Sequence, residues 1–335
     1  MLGNGTIVTF QSYDVADFRQ ILGGVYKSNS VEITGHIAFP ISDGTGSNKV
    51  PVVIIIHSSG GPTEITDGWK NWFRDIQQPL LKSGIGVFYI DSFSARGVKH
   101  TYEDQYKASI ISQSIDTVMA YKFLKDHPRV NADKIGVTGS SRGGTISFMV
   151  ANKKFTNHFL SEGEGFAAIL PMSAECRISG LFENPEMTKN SKMLVVQGSL
   201  DGEVESCKKY AEKIKTNRGE VKVDLKEGWH HHFMANHKVE SYPVWQFNNC
   251  SPYYYTKDNG DINDEMMNFL LVKRKLWSSK ENYYNDAYEN PQKTFNKMVK
   301  NLVKSKCAKK GVPFGGKHGK EFTPQFLGFF TENLL

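Results

Sequence analysis

Several features that would set a chain apart from ordinary globular proteins are missing here. No stretch approaches the ~18 consecutive apolar residues of a membrane-spanning helix, so no helical membrane span is expected. Met1 is followed by LGNGTIVTF, which has neither a basic n-region nor an apolar h-region. No signal peptide is therefore expected within these residues, and a chain whose leader had been removed would read the same. The four cysteines, Cys176, Cys207, Cys250 and Cys307, form no CxxC pair of the kind that holds a metal. Counting alone leaves buried thiols and two disulfides equally open. There is no internal repeat and no low-complexity tract. Charge of neither sign dominates, with 41 Lys+Arg against 35 Asp+Glu and a net charge of +6. Apart from a Lys-rich 298–310 region the basic residues are dispersed, which argues against a dedicated nucleic-acid binder.

What remains is ordinary in amount and informative in order. The 335 residues are 39% hydrophobic and 23% charged, enough apolar material for one sizeable core. Short apolar runs rich in β-branched residues recur: VVIIIH (52–57), GVFYID (86–91), KIGVTG (134–139), FAAILPMS (166–173), MLVVQG (193–198) and KVDLKE (222–227). Continuous runs of this kind read as parallel strands buried on both faces. Ile111, Ile115, Met119 and Phe123, spaced by four, predict a helix with one buried stripe between the second and third runs. Strand, helix, strand alternation implies a doubly wound, mostly parallel α/β sheet. Upstream, TIVTFQS (6–12) and VEITGHIAF (31–39) alternate and predict antiparallel strands.

After about residue 240 the pattern breaks into the aromatic, turn-rich SYPVWQFNNCSPYYYTKDNGDIND, an extension and not a further βα unit. Its KDNGD lacks the ligand spacing of a calcium loop and reads as a turn at Asn259-Gly260. TPQFLGFFTENLL predicts a capped closing helix. The expected layout is one domain over 1–335, with N-terminal antiparallel strands over 1–50, a catalytic core over 51–240 and an extension over 241–335.

The stretch that asks for chemistry is Gly136 to Thr145, GVTGSSRGGT. Gly139-Ser140-Ser141-Arg142-Gly143 fits G-x-S-x-G, a weak signal alone because glycine fills 30 of 335 positions. Its setting adds weight, since the strand KIGVT precedes it and the helix-like TISFMVAN follows. A serine at that strained turn projects its hydroxyl above the sheet at a helix N-terminus. A serine nucleophile needs a base, and the base needs a carboxylate, in the chain order serine, acid, histidine. Asp201 in GSLDGEV and one of His230 to His232 in GWHHHFM supply them in that order. Three successive histidines cannot all face one site. A zinc cluster of His230, His231, His232 and His237 is the alternative, but adjacent histidines converge poorly and no HExxH accompanies them. The oxyanion requires two amides, expected from Arg142 and from Ser59 in HSSGGP. His57 reads as a loop-fixing residue and not a second base; together with Arg96 and Trp229 it is an expected substrate contact.

Taken together, VVIIIHSSGGP, VFYIDSFSARGV, HPRVNADKIGVTGSSRGG, GSLDGEV and WHHHF resemble the dienelactone hydrolase-like family of α/β-hydrolases over about residues 30 to 235. The resemblance implies an α/β-hydrolase fold, Ser141 as nucleophile, Asp201 as acid, His231 (the histidine one residue short of Phe233) as base, and Ser59 as loop donor. Two departures matter. The family proper has a cysteine at the elbow and a glutamate in the first loop, where this chain has Ser141 and Ser58, so dienelactone itself is not the expected substrate. The second is the tail of some 100 residues beyond His231. Longer members resembling this chain carry DSF-x-x-RG, matched by Asp91 to Gly97 with Arg96, and cysteines placed like these four. That resemblance implies disulfides Cys176–Cys207 and Cys250–Cys307, and with them a periplasmic or secreted location, with a cytoplasmic one still open.

The expected function is hydrolysis of a small-molecule carboxylic ester through an acyl-enzyme, with no metal or organic cofactor. Thioester or amide cleavage by the same residues, and a non-catalytic binding protein on the same fold, are the alternatives. Arg96 and the aromatics Tyr242, Trp245, Phe247 and Tyr253 to Tyr255 are expected to shape the pocket, unless those aromatics only build the tail's own core. The identity of the ester and the oligomeric state are open.

Overall fold

Alternation against continuity in the apolar pattern decides where each strand sits. The structure is a computed structural model that describes residues 5–41, 49–62, 67–188, 190–247 and 249–335. The alternating segments form β1 (Thr6–Tyr13) and β2 (Ser30–Ala38), paired antiparallel with Phe10 opposite Ile33. The short α1 (Phe18–Leu22) lies between them, capped by the Asp17 carboxylate, which accepts from the amides of Arg19 and Gln20. The continuous runs follow as β3 (Val50–Ile56), β4 (Gly86–Asp91), β5 (Val130–Ser140), β6 (Ala168–Met172), β7 (Lys192–Gly198) and β8 (Glu220–Lys226). These eight strands make one sheet in the order β1-β2-β4-β3-β5-β6-β7-β8. It is antiparallel at β1-β2 and β2-β4 and parallel across the rest. The chain thus has the α/β-hydrolase fold.

Helices cover both faces. In β3 the side chains of Val52, Ile54 and Ile56 enter one core cluster and those of Val53 and Ile55 the other, the period of two that a strand imposes. Each such fully buried side chain contributes about 1.5–3 kcal/mol. The first face carries α3 (Ile110–Lys125), α4 (Arg142–Ala151), α5 (Lys153–Thr156) and α6 (Val204–Lys213); the second carries α2 (Asp67–Lys82) and the closing helix.

Two expectations are corrected. Helix α3 does not bury one stripe: Ile111, Ile115, Val118, Tyr121 and Leu124 are buried, Met119 and Phe123 only half so, and Ser112, Gln113, Asp116 and Thr117 are buried as well. Ser112, Gln113 and Asp116 bond neighbouring segments, and the Thr117 hydroxyl donates to the Gln113 carbonyl within the helix. Ser112 Oγ accepts from the Val15 amide at 2.9 Å, and Ser12 Oγ donates to Asp116 at 2.5 Å. The closing helix begins at Gly319, four residues before Thr323, and has no side-chain cap. Thr323 is inside the helix, its hydroxyl donating to the Gly319 carbonyl at 2.7 Å.

Beyond the sheet, β9 (His237–Gln246) runs antiparallel to β10 (Lys309–Gly316), and between them lie α7 (Asp264–Asn268), α8 (Lys280–Glu289) and α9 (Pro291–Lys304). This extension has its own core, with Met266, Leu270, Trp277, Met298 and Leu302 buried together. Residues 257–261 are a tight turn: the Lys257 amide donates to the Asp261 carbonyl at 2.7 Å and Gly260 has φ of +81°. A Cβ at Gly260 would meet Arg19 Cγ at 2.5 Å, so the turn fits against α1 only with glycine. The last element, α10 (Gly319–Leu334), lays Phe322, Phe326, Phe330 and Leu334 on the second face. Among the described residues no helix is long and apolar enough to cross a membrane.

Both implied disulfides are present. Cys176–Cys207, S–S 2.02 Å, ties the loop after β6 to α6, and Cys250–Cys307, S–S 2.14 Å, closes the extension. The first encloses a separation of 31 residues. Replacing Cys176 and Cys207 together by serine is therefore expected to lower stability by about 3–4 kcal/mol, the loop-closure value. Urea denaturation of the double variant measures it, and a loss below about 1 kcal/mol would contradict the expectation.

Candidate active site

The turn between β5 and α4 is tight because three glycines let backbones meet. A Cβ at Gly139 would stand 2.6 Å from Gly143, one at Gly143 would stand 2.6 Å from the Ile56 carbonyl oxygen, and one at Gly144 would stand 2.4 Å from that of Met172. Ser141 at the apex has φ 57° and ψ −120°, a strained conformation held because its amide donates to the Met172 carbonyl at 2.9 Å and its carbonyl accepts from Thr145 at 2.9 Å. Its hydroxyl stands at the N-terminal end of α4, where the helix dipole favours negative charge.

Two further loops meet it. Asp201 follows β7 and His231 follows β8. His231 Nδ1 lies 2.8 Å from Asp201 Oδ2, and Nε2 lies 3.0 Å from Ser141 Oγ. With Nδ1–H donated to the carboxylate, Nε2 is left to accept the serine hydroxyl. The Asp201 carboxylate is almost wholly buried and also accepts from the Glu203 amide at 3.3 Å. Strand β10 reaches in from the extension to fix the histidine loop. The Gly315 amide donates to the His231 carbonyl at 2.8 Å, and the Phe314 ring packs on both His231 and His232. His232 turns away into the interior with φ of +57°. Its amide donates to Ser173 Oγ, its ring lies 3.3 Å from Ser140 Oγ, and burial holds it neutral, far below the usual histidine range. Among the described residues no group of three or more His, Cys, Asp or Glu is placed to hold a metal ion.

Ser59, Ser141, Arg142 and His231 line one cavity of about 340 Å³. Its walls are largely aromatic and apolar, with Tyr106, Trp245, Tyr254, Phe295, Met298 and Phe314 among them. Tyr242 and Phe247 line it too, whereas Tyr253 and Tyr255 are turned into the main core. The expectation of a pocket built partly by the extension holds for the former group and is corrected for the latter pair.

The three expected substrate contacts lie elsewhere. The Arg96 guanidinium, 6% exposed, bonds Asp116 at 2.7 Å and Asp14 at 2.5 Å, so it anchors α3 to the N-terminal segment. Trp229 stacks on His318 at 4.4 Å and packs on Phe233, in the core of the second sheet face. His57 is buried: Nδ1 donates to the Ser58 carbonyl at 2.8 Å and Nε2 accepts from the Ser92 amide at 3.3 Å. Burial pulls its pKa down to about 4, so it fixes the loop as a neutral ring.

Arg142, Glu175 and Glu203 are among the charged side chains on the cavity that were not anticipated as such. Arg142 turns its guanidinium into the protein, donating to Gln113 Oε1 at 2.7 Å, Gln105 Oε1 at 2.9 Å and the Ala108 carbonyl. Burial and then the charge of Arg96 pull its pKa down to about 9, still above neutrality, so the cation persists among neutral acceptors. On another wall Glu175 accepts from the amides of Arg177 and Ile178 at 2.7 Å each, and Glu203 bonds Ser206 Oγ at 2.5 Å with Arg177 at 3.8 Å. Burial, then the charge of Glu175, raises the Glu203 carboxyl well above its ordinary range; burial raises Glu175 too. In the sequence, Glu203 was marked only by standing two residues after Asp201, and Glu175 by nothing.

The profile of the dienelactone hydrolase family matches residues 41–246. Solved structures overlap the chain at low identity. A dienelactone hydrolase of Anabaena variabilis is 17% identical over 58% of this chain and 81% of its own, TM-score 0.40. MGS-M1, an α/β-hydrolase from a Medee basin deep-sea metagenome library, is 17% identical over 70% and 86%, TM-score 0.45. Esterase 2 of Thermogutta terrifontis is 12% identical over 69% and 86%, TM-score 0.45. No curated protein matches by sequence.

Two outcomes follow from the charges. Arg96→Ala strands the buried Asp116 carboxylate and is expected to cost about 3–5 kcal/mol in denaturant unfolding; a loss below about 1 kcal/mol would return Arg96 to the surface. Glu203 is raised in the folded state, so its contribution to stability is present at low pH and is lost as pH rises through the folded value. Glu203→Gln should thus melt close to the wild type near pH 5 and a few degrees above it near pH 8. A difference that does not grow with pH would contradict the assignment.

Proposed function

The chain belongs to the dienelactone hydrolase family, and from that premise we propose that this hydrolase cleaves carboxylic esters by a serine mechanism. The observation that carries the reading is the unbroken line Asp201–His231–Ser141, with contacts of 2.8 and 3.0 Å. His231 Nε2 takes the hydroxyl proton as Ser141 Oγ attacks the acyl carbon. The tetrahedral oxyanion is received by the amides of Ser59 and Arg142, at the positive end of α4. As the C–O bond breaks, the alcohol leaves with the proton from His231 and an acyl-serine remains. Water then attacks that ester and gives a proton to His231, and the acid departs as His231 passes that proton to Ser141 Oγ. Asp201 keeps Nδ1–H bonded throughout and balances the imidazolium.

The cavity of about 340 Å³ and its aromatic walls support a bulky apolar acyl or alcohol group. Two disulfides support a home outside the reducing cytoplasm.

Hydrolysis of p-nitrophenyl acetate, butyrate and octanoate tests the reading. Ser141→Ala is expected to lose at least ~1,000-fold in kcat with unchanged circular dichroism, and a fluorophosphonate should label the wild type and not the variant. Phe295→Ala, which enlarges the cavity, should shift the ratio of octanoate to acetate rates upward by about threefold or more. Retained activity in Ser141→Ala would remove serine catalysis from the account.

A further inference from the structure

The charge of this chain is carried unevenly. Residues 291–320 contain nine lysines and no aspartate, glutamate or arginine, leaving 32 basic against 35 acidic residues elsewhere. All nine lysines are exposed. Four of them, Lys293, Lys297, Lys300 and Lys304, are spaced by four, three and four along α9, which puts them on one face. The opposite face holds Met298, Val299 and Leu302, buried in the structure. Lysines 306, 309 and 310 continue the basic stretch beyond the helix. The extension's lysine–aspartate pairs, Lys257–Asp264 and Lys280–Asp261, use other residues.

We propose that the outer face of α9 docks an acidic polysaccharide bearing about one carboxylate per sugar ring. Nine like charges within thirty residues repel one another and are relieved by a polyanion, not by a second copy of the same face. A bilayer is disfavoured because the apolar side chains of α9 point inward and leave nothing to insert. A phosphate-bearing polymer is the competing polyanion and is set against the polysaccharide in the test. The lysines recur once per helical turn, ~5 Å, close to the length of a sugar ring. The inner side of the same helix, at Thr294, Phe295 and Met298, lines the cavity, so a docked chain runs beside the site. The docking stands whatever bond that site cleaves.

Binding of fluorescein-labelled polygalacturonate, followed by anisotropy, tests it. The wild type should bind at about 20 mM salt and lose affinity at least tenfold by about 200 mM. Lys293→Gln with Lys297→Gln, Lys300→Gln and Lys304→Gln should lose at least about tenfold at low salt, with circular dichroism and melting temperature as controls of folding. Lys297 lies 4.1 Å over the Trp277 ring, so if the quadruple variant unfolds, Lys300→Gln with Lys304→Gln is measured instead and should lose about threefold. Equal binding by wild type and variant, or none by the wild type, overturns the proposal. So does tighter binding to phosphatidylglycerol vesicles or to a DNA duplex of equal charge.

Discussion

The structure turns on bringing His231 to two partners at once. Ser141, Asp201 and His231 follow three separate strands, β5, β7 and β8, so contacts of 2.8 and 3.0 Å hold only if each loop is fixed independently. Each is fixed by different means. The serine turn is closed by glycines through which backbones touch, the aspartate loop by the Glu203 amide, and the histidine loop by a hydrogen bond from the Gly315 amide of β10. The last of these comes from the extension. What looks in the sequence like an appendage is thus part of the frame that aims the imidazole.

Buried charge is arranged around that frame in three groups. Arg96 with Asp14 and Asp116 fastens the N-terminal segment to α3. Arg142 is held by amide and carbonyl oxygens of Gln113, Gln105 and Ala108, so its positive charge is solvated by dipoles and not cancelled. Glu175 and Glu203 share Arg177 across a wall of the cavity. A desolvated cation thus stands on one side of the cavity and a carboxyl pair on another.

Most of the sheet was legible because burial on both faces leaves a continuous apolar run, and such runs at 52–57, 86–91 and 193–198 coincide with β3, β4 and β7 to within one or two residues. Motif and chain order pointed to Ser141 and Asp201 and the family resemblance to His231, and the structure brings the three side chains within hydrogen-bond distance. Arg96, Trp229 and His57 were misread as substrate contacts, though His57 was rightly read as fixing its loop, for a common reason: a polar or aromatic residue near the strand ends has the same local signature whether it faces the cavity or anchors the frame. Only tertiary contacts separate those cases. The extension was legible as a change of pattern but not as an architecture, since its helices depend on a small core shared among α7, α8 and α9. A Cβ at Gly315 would stand 2.7 Å from the Lys238 carbonyl oxygen and one at Gly316 2.9 Å from that of Phe233, a close approach of backbones that the sequence did not place.

Cys250 and Cys307 are joined just beyond the point where Gln246 pairs with Lys309. The segment between them therefore leaves and rejoins the molecule at one place, like a cassette with both ends in a single socket. Tyr254, Tyr283, Phe295 and Met298, all inside it, form walls of the cavity, while Gly315 and Phe314, which steady His231, lie outside it. A different segment in the same socket would redraw the shape of the cavity and leave the loops of Ser141, Asp201 and His231 where they are.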